Sequence, residues 1–91
     1  MAADQKAETQ IISFTNTADN EATFAGGCSR FYFSTSADVF VDFDQPCDTG
    51  SFLVKANIAY PAFDFMGGSV NKIHAKGSAG SGSLYILGVR G

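Results

Sequence analysis

Residues 38–44 have the sequence DVFVDFD, and this stretch decides the fold class. Val39, Val41 and Phe43 occupy every second position, which is the period of a β-strand that places one face against a core. No stretch of about ten residues shows the period of an amphipathic helix. Turn-forming residues recur about every 8 to 15 residues, which is typical of small antiparallel folds. We therefore predict an all-β chain that forms a small antiparallel β-sandwich or jelly-roll-like barrel of about six to eight strands.

Other segments extend this prediction along the chain. Further strands are predicted at residues 9–14, 30–35, 51–57, 70–76 and 83–89. The last of these is apolar on both faces, so we expect a central strand that is covered on both sides. The glycine- and serine-rich residues 77–82 predict a hairpin loop before it, and Gly26 and Gly27 predict a break between strands. Residues 58–66 predict an irregular connection with room for a short edge strand.

The chain length of 91 residues favours a single domain, because two separate cores would each be too small to offset the entropy lost on folding. Residues 1–8 show no period and predict an N-terminal arm, followed by one β domain at residues 9–91. Nine of the twelve aromatic residues are Phe. Phe has no polar group to keep in water, so we expect these side chains in a core or an interface.

The charge, the hydropathy and the cysteine content of the chain argue against several classes of function. A net charge of −3 with only six basic residues argues against nucleic-acid binding, which needs a concentrated Lys/Arg surface. No run approaches the roughly 18 apolar residues of a membrane span, and residues 1–8 lack the apolar core of a signal peptide. We therefore expect no membrane partner. Cys28 and Cys47 are too few for a disulfide scaffold, and two reduced, partly buried thiols are favoured over one disulfide.

Three neighbouring aspartates and a single histidine carry the groups that a metal site or a catalytic site would need. Asp42, Asp44 and Asp48 could offer oxygen ligands to Ca²⁺, but their spacing lacks the glycine and terminal Glu of an EF-hand loop, so a solvated acidic face is favoured. His74 is the only histidine. No nucleophile motif accompanies it, so an exposed strand position is favoured over a general base. We expect no catalytic residue, no metal, no cofactor and no enzymatic activity.

Two charged stripes form the predicted protein interface. The acidic stripe and the basic stripe consist of Asp38, Asp42 and Asp44 around an exposed Phe40, and of Lys72, His74 and Lys76. If both stripes face solvent, they could pair across one sheet or between neighbouring subunits. The alternative is that they are two unrelated solvated faces.

The segments at residues 37–44, 50–57 and 73–88 resemble small β-rich virion proteins of tailed bacteriophages, in particular proteins that decorate or cement the capsid. The likeness extends over residues 30–90 and consists of strands and glycine-rich turns, with no signature motif. It implies a non-enzymatic structural protein without a cofactor that binds the major capsid protein and itself, as a homotrimer over junctions between capsomers. Such a protein is made in the host cytoplasm, lies on the capsid surface and helps the head to resist the pressure of packaged DNA.

Two other functions share the same β architecture. One is a structural protein of a phage tail or baseplate. The other is a carbohydrate-binding module, which commonly places exposed Trp or Tyr beneath sugar rings. The chain has no Trp and three Tyr residues, so we regard the sugar-binding function as the less favoured alternative.

Overall fold

A computed structural model of the chain describes residues 7–48 and 50–90. These residues form eight β-strands, which are β1 (Ala7–Phe14), β2 (Asn20–Cys28), β3 (Arg30–Thr35), β4 (Val39–Phe43), β5 (Phe52–Val54), β6 (Phe63–Asp64), β7 (Val70–Gly77) and β8 (Gly82–Val89). Within these two ranges there is no helix that is long and apolar enough to span a membrane.

The strands form two antiparallel sheets of four. Sheet A has the order β1-β8-β3-β6 and sheet B has the order β2-β7-β4-β5. The pairs β1 with β8, β2 with β7, β3 with β6 and β4 with β5 are all present, so the chain is one long hairpin rolled into two layers. This nested pairing is the jelly-roll arrangement. The predicted all-β sandwich of about six to eight strands is therefore confirmed.

The core lies between the two sheets and is built from alternate residues of seven strands. Its buried apolar members are Ile12, Phe14, Ala22, Phe24, Cys28, Phe31, Val39, Val41, Val54, Val70, Ile73, Ala75, Leu84 and Ile86. Phe33, Phe43, Phe63 and Phe65 pack against this cluster near the edge where β5 and β6 lie. Most of the Phe side chains therefore enter the core, as predicted, and Val39 and Val41 point inward as the alternation in β4 requires.

The boundary between arm and domain lies earlier than predicted. Strand β1 begins at Ala7, and Ala7 and Glu8 pair with Val89 and Gly88 of β8. The rest of the predicted arm, residues 1–6, lies outside the described residues. In addition to this pairing, the Glu8 carboxylate accepts a hydrogen bond from Arg90 Nη2 at 2.6 Å.

Three local predictions are wrong, the first two because the protein has two layers and the third because glycine can adopt positive φ inside a strand. Strand β8 is central, between β1 and β3, but Tyr85 and Leu87 on its outer face are 46% and 38% exposed. The loop at residues 78–81 is not a hairpin loop, because β7 and β8 belong to different sheets. Gly26 and Gly27 form a bulge inside β2, with φ near +80° at both residues, and do not separate two strands.

The ion pair of Glu8 predicts a pH-dependent stability. Hydrogen bonds from Arg90 and Gln10 lower the pKa of the Glu8 carboxyl below its usual range. A carboxyl with a lowered folded-state pKa stabilises the fold above its unfolded-state pKa, and this contribution disappears as the pH falls through the folded-state value. We expect Glu8→Gln to lower the free energy of unfolding by up to about 1 kcal/mol at neutral pH.

Urea unfolding of the wild type and Glu8→Gln at several pH values measures this difference. It should shrink as the pH falls below about 4.5, the usual Glu range, and should vanish in stronger acid. A difference of constant size from neutral pH to acid would contradict the assigned role of the carboxylate.

Candidate functional site

The two predicted charged stripes are neighbours on the outer face of sheet B. Strands β4 and β7 pair so that Asp42 lies opposite His74 and Phe40 lies opposite Lys76. The stripes therefore meet across one sheet, which is one of the two predicted arrangements. Among the described residues the salt bridge of the Lys72 ammonium is to Glu21, at 3.1 Å, and does not involve the acidic stripe.

The carboxylates at the two ends of the acidic stripe accept hydrogen bonds from backbone amides of the same chain, one in a loop and two in strand β7. Asp38 Oδ1 accepts a hydrogen bond from the Ala56 amide at 2.9 Å. Asp44 Oδ1 accepts hydrogen bonds from the amides of Asn71 and Lys72 at 3.0 and 2.8 Å. These side chains satisfy backbone donors that the sheet leaves unpaired. Their local role in the fold explains their presence without a partner protein.

Asp42, the central carboxylate of the stripe, is also engaged within the chain. Burial would raise its pKa, but hydrogen bonds from the Phe43 amide, the Ser51 hydroxyl and the Gln45 side chain hold the pKa below its usual range. The carboxylate is thus stabilised in its charged form by fixed donors. It joins β4 to the turn that leads into β5.

His74 is buried, so its predicted exposed position is wrong. Only 6% of the residue is exposed, although it lies on the outer face of β7. Its Nδ1 lies 2.7 Å from Asp19 Oδ2, and Asp19 Oδ1 accepts a hydrogen bond from the Cys47 amide at 2.9 Å. Asp19 thus connects the β1–β2 loop and the β4–β5 loop to the histidine. Sequence reasoning missed Asp19 because 55 residues separate it from His74.

The two cysteines are free, in agreement with the favoured prediction. Cys28 is buried in the core, and burial raises the pKa of its thiol. Burial, together with the nearby charge of Asp19, raises the pKa of the Cys47 thiol to about 12. Phe40, which was predicted to be exposed, is half-buried. The β4–β5 turn lies beside it, and the Cys47 thiol of this turn donates a hydrogen bond to the Phe40 carbonyl oxygen at 3.4 Å.

The outer face of sheet A differs sharply from that of sheet B. Four large side chains are exposed there, namely Ile11 (58%), Tyr32 (41%), Tyr85 (46%) and Leu87 (38%). Ile11 lies opposite Tyr85, and Tyr32 lies opposite Leu87, so the four form one continuous patch across β1, β8 and β3. A shallow depression of about 210 Å³ lies among Tyr32, Tyr85 and Leu87.

This patch belongs to a larger surface without charge, which we call the uncharged face. Its members are eight outward residues of the three strands: Thr9, Ile11, Ser13, Tyr32, Ser34, Ser83, Tyr85 and Leu87. The outward residues Ala7, Val89 and the charged Arg30 bound it at one end. The salt bridge between Arg30 and Asp64, at 3.6 Å, lies beyond one end of this face. A continuous exposed apolar patch rimmed by polar residues is typical of a contact surface. Sequence reasoning missed it because an apolar strand of this kind predicts full burial.

Comparison of the chain with models of protein families, with curated proteins and with solved structures gives no match.

Proposed function

We propose that this chain is a non-enzymatic binding domain that attaches to a protein surface through the uncharged face. The observation that supports this proposal is the contiguous exposed patch of Ile11, Tyr32, Tyr85 and Leu87 on one sheet. Removing apolar surface from water stabilises a complex by about 25 cal/mol per Å². Tyr side chains add contact area at a low cost in side-chain entropy. No charge on this face has to be desolvated or matched by a partner.

In its specific form, the proposal is a decoration or cement protein on the head of a tailed bacteriophage. The resemblance of residues 37–44, 50–57 and 73–88 to such virion proteins supports this form. The partner is then the major capsid protein, with a homotrimer over the junctions between capsomers. Jelly rolls occur both in viral capsid proteins and in lectins, so the architecture by itself does not choose a function.

Co-sedimentation with capsids that were assembled without this chain tests the proposal. The wild-type protein should sediment with the capsids. Leu87→Asp and Tyr85→Asp should each reduce the affinity by about tenfold or more, because a charge would be buried at the centre of the contact. Thr23→Asp adds the same charge to the exposed outer face of β2 and should leave binding unchanged. Circular dichroism verifies that each variant is folded.

The same assay tests the seven residues that were predicted from the sequence as the interface. Lys76→Glu changes the basic stripe without altering the uncharged face. We expect wild-type binding by this variant. Loss of binding in Lys76→Glu, with retention in Leu87→Asp, would place the contact on the charged stripes of sheet B and overturn our assignment of the surface.

A carbohydrate-binding module is the second candidate, because two tyrosines share the uncharged face. Tyr85 lies opposite Ser34, two residues from Tyr32 on the same strand, so the two tyrosines are diagonal neighbours on the sheet, close enough for both side chains to contact one ligand. Binding of the isolated protein to a glycan array, with loss in Tyr32→Ala and Tyr85→Ala, would favour this function. Absence of binding to any glycan on the array, together with binding to capsids, would favour the function as a virion protein.

A further inference from the structure

We propose that His74 and Glu21, with Asp19 as a positioning residue, bind a divalent transition-metal ion such as Zn²⁺ on the outer face of sheet B. The ligand atoms of these three residues all lie within 4.8 Å of one another. Glu21 lies directly opposite His74 in the pairing of β2 with β7. The site is separate from the uncharged face, so it does not depend on the proposed function.

The hydrogen bond to Asp19 sets the tautomer of His74. A carboxylate can only accept, so the 2.7 Å contact means that Nδ1 carries the proton and donates to Asp19 Oδ2. In the neutral ring this leaves a lone pair on Nε2. A histidine that binds a metal through one nitrogen commonly donates its other N–H to a carboxylate, which orients the ring and increases its basicity.

The carboxylate of Glu21 lies near Nε2. The distance from Nε2 to Glu21 Oε1 is 3.8 Å, which is too long for a hydrogen bond. Zn²⁺ binds His nitrogen at about 2.0–2.1 Å and carboxylate oxygen at about 2.0–2.2 Å. Two such ligands are about 3.4 Å apart at a tetrahedral angle and about 4.2 Å apart in line with the ion. The observed gap therefore admits an ion after a small movement of Glu21.

The two ligands differ in burial, and therefore in the role that each would have in the site. The His74 side chain is 7% exposed and is held by Asp19, so it is a rigid ligand that loses little entropy on binding. The Glu21 side chain is 45% exposed, which leaves the remaining coordination positions open to water. Within the described part of the chain, Nε2 makes no hydrogen bond.

Lys72 is the competitor for this site. Its ammonium lies 3.1 Å from Glu21 Oε2 and would have to leave when a cation binds. The structure therefore predicts opposite effects for two neighbouring variants. Glu21→Gln removes a ligand and should weaken metal binding by about tenfold or more, whereas Lys72→Met removes the competing charge and should strengthen it several-fold.

Calorimetric titration of the full chain with Zn²⁺ alone tests the site. We expect one ion per chain, and a rise in melting temperature with Zn²⁺ concentration because the ion binds the folded state. In ¹⁵N spectra of the imidazole, Zn²⁺ should shift the Nε2 resonance strongly and leave Nδ1 as the protonated nitrogen. Glu8→Gln, which removes a carboxylate elsewhere, and Cys47→Ser should both bind as the wild type does.

Several results would overturn the proposal. One is the absence of binding at about 1 mM Zn²⁺, a concentration that would half-fill a site with a Kd of about 1 mM. Another is equal affinity in the wild type and Glu21→Gln. Loss of binding in Cys47→Ser would assign the ion to the thiol instead. Because Glu21 is half-exposed and its substitution leaves the core intact, this variant decides the matter even if substitutions of His74 prevent folding.

Discussion

Phe31→Ala is expected to lower the free energy of unfolding by about 3–5 kcal/mol, the usual cost of removing a buried aromatic side chain. Phe31 is fully buried on β3 at the centre of the aromatic cluster. Its ring centroid lies 5.4 to 6.4 Å from those of Phe24, Phe33, Phe43 and Phe65. Since four rings pack on it from both sheets, alanine would leave a cavity that local rearrangement cannot close.

Such a loss is a large part of the stability of a small domain, which is typically about 5–15 kcal/mol. Urea unfolding followed by circular dichroism measures it. Tyr32→Ala is the matched control, because Tyr32 is the next residue on β3 and points to solvent. We expect it to cost less than about 1 kcal/mol. Equal losses in the two variants would mean that Phe31 does not anchor the core.

Gly77→Ala is expected to cost about 2–3 kcal/mol or more, because the new methyl group has no space. A Cβ atom at Gly77 would lie 1.9 Å from the Gly80 carbonyl oxygen and 3.1 Å from Phe14 Cδ1. The first contact is with backbone, so the crossing from β7 to β8 would have to be rebuilt. The Gly77 amide also donates to the Thr15 carbonyl at 2.8 Å, and this bond would be strained by the movement.

Gly80→Ala is the control for this substitution. It lies in the same crossing, and a Cβ there would meet no atom within 4 Å. We therefore expect a change within about 0.5 kcal/mol, with the sign set by the reduced freedom of the unfolded chain. Thermal unfolding of both variants provides the comparison. Similar melting temperatures for Gly77→Ala and the wild type would show that the connection from β7 to β8 can move to accommodate the methyl group, and would contradict the prediction.

Much of the fold could be predicted because local patterns decide it. The alternation at Val39, Val41 and Phe43 identified β4 and its inward face. Strand β5 lies within the strand predicted at residues 51–57, and it pairs with β4, the preceding strand in the chain. Strand β3 has the bounds that were predicted for it, residues 30–35, and its alternation places Phe31 inward and Tyr32 outward. These features depend on the strand period and on the turn-forming residues, both of which can be read from residues that are close together in the sequence.

The candidate sites could be predicted only in part. The two charged stripes were recognised and do meet in sheet B, but the burial of His74 depends on Asp19, which belongs to a distant loop. The uncharged face was missed because the apolar residues of β8 predicted two covering layers. In a sandwich of two sheets, each sheet has one covered face, so Tyr85 and Leu87 remain exposed.

The sequence by itself determined the all-β class, the inward side of its clearest strand and the scarcity of basic residues. Tertiary structure alone decided which strands share a sheet, because hydrogen bonds between distant strands leave no local signal. It therefore decided that the apolar residues of β1, β3 and β8 meet on one outer face, and that a histidine from β7 meets two carboxylates near the start of β2.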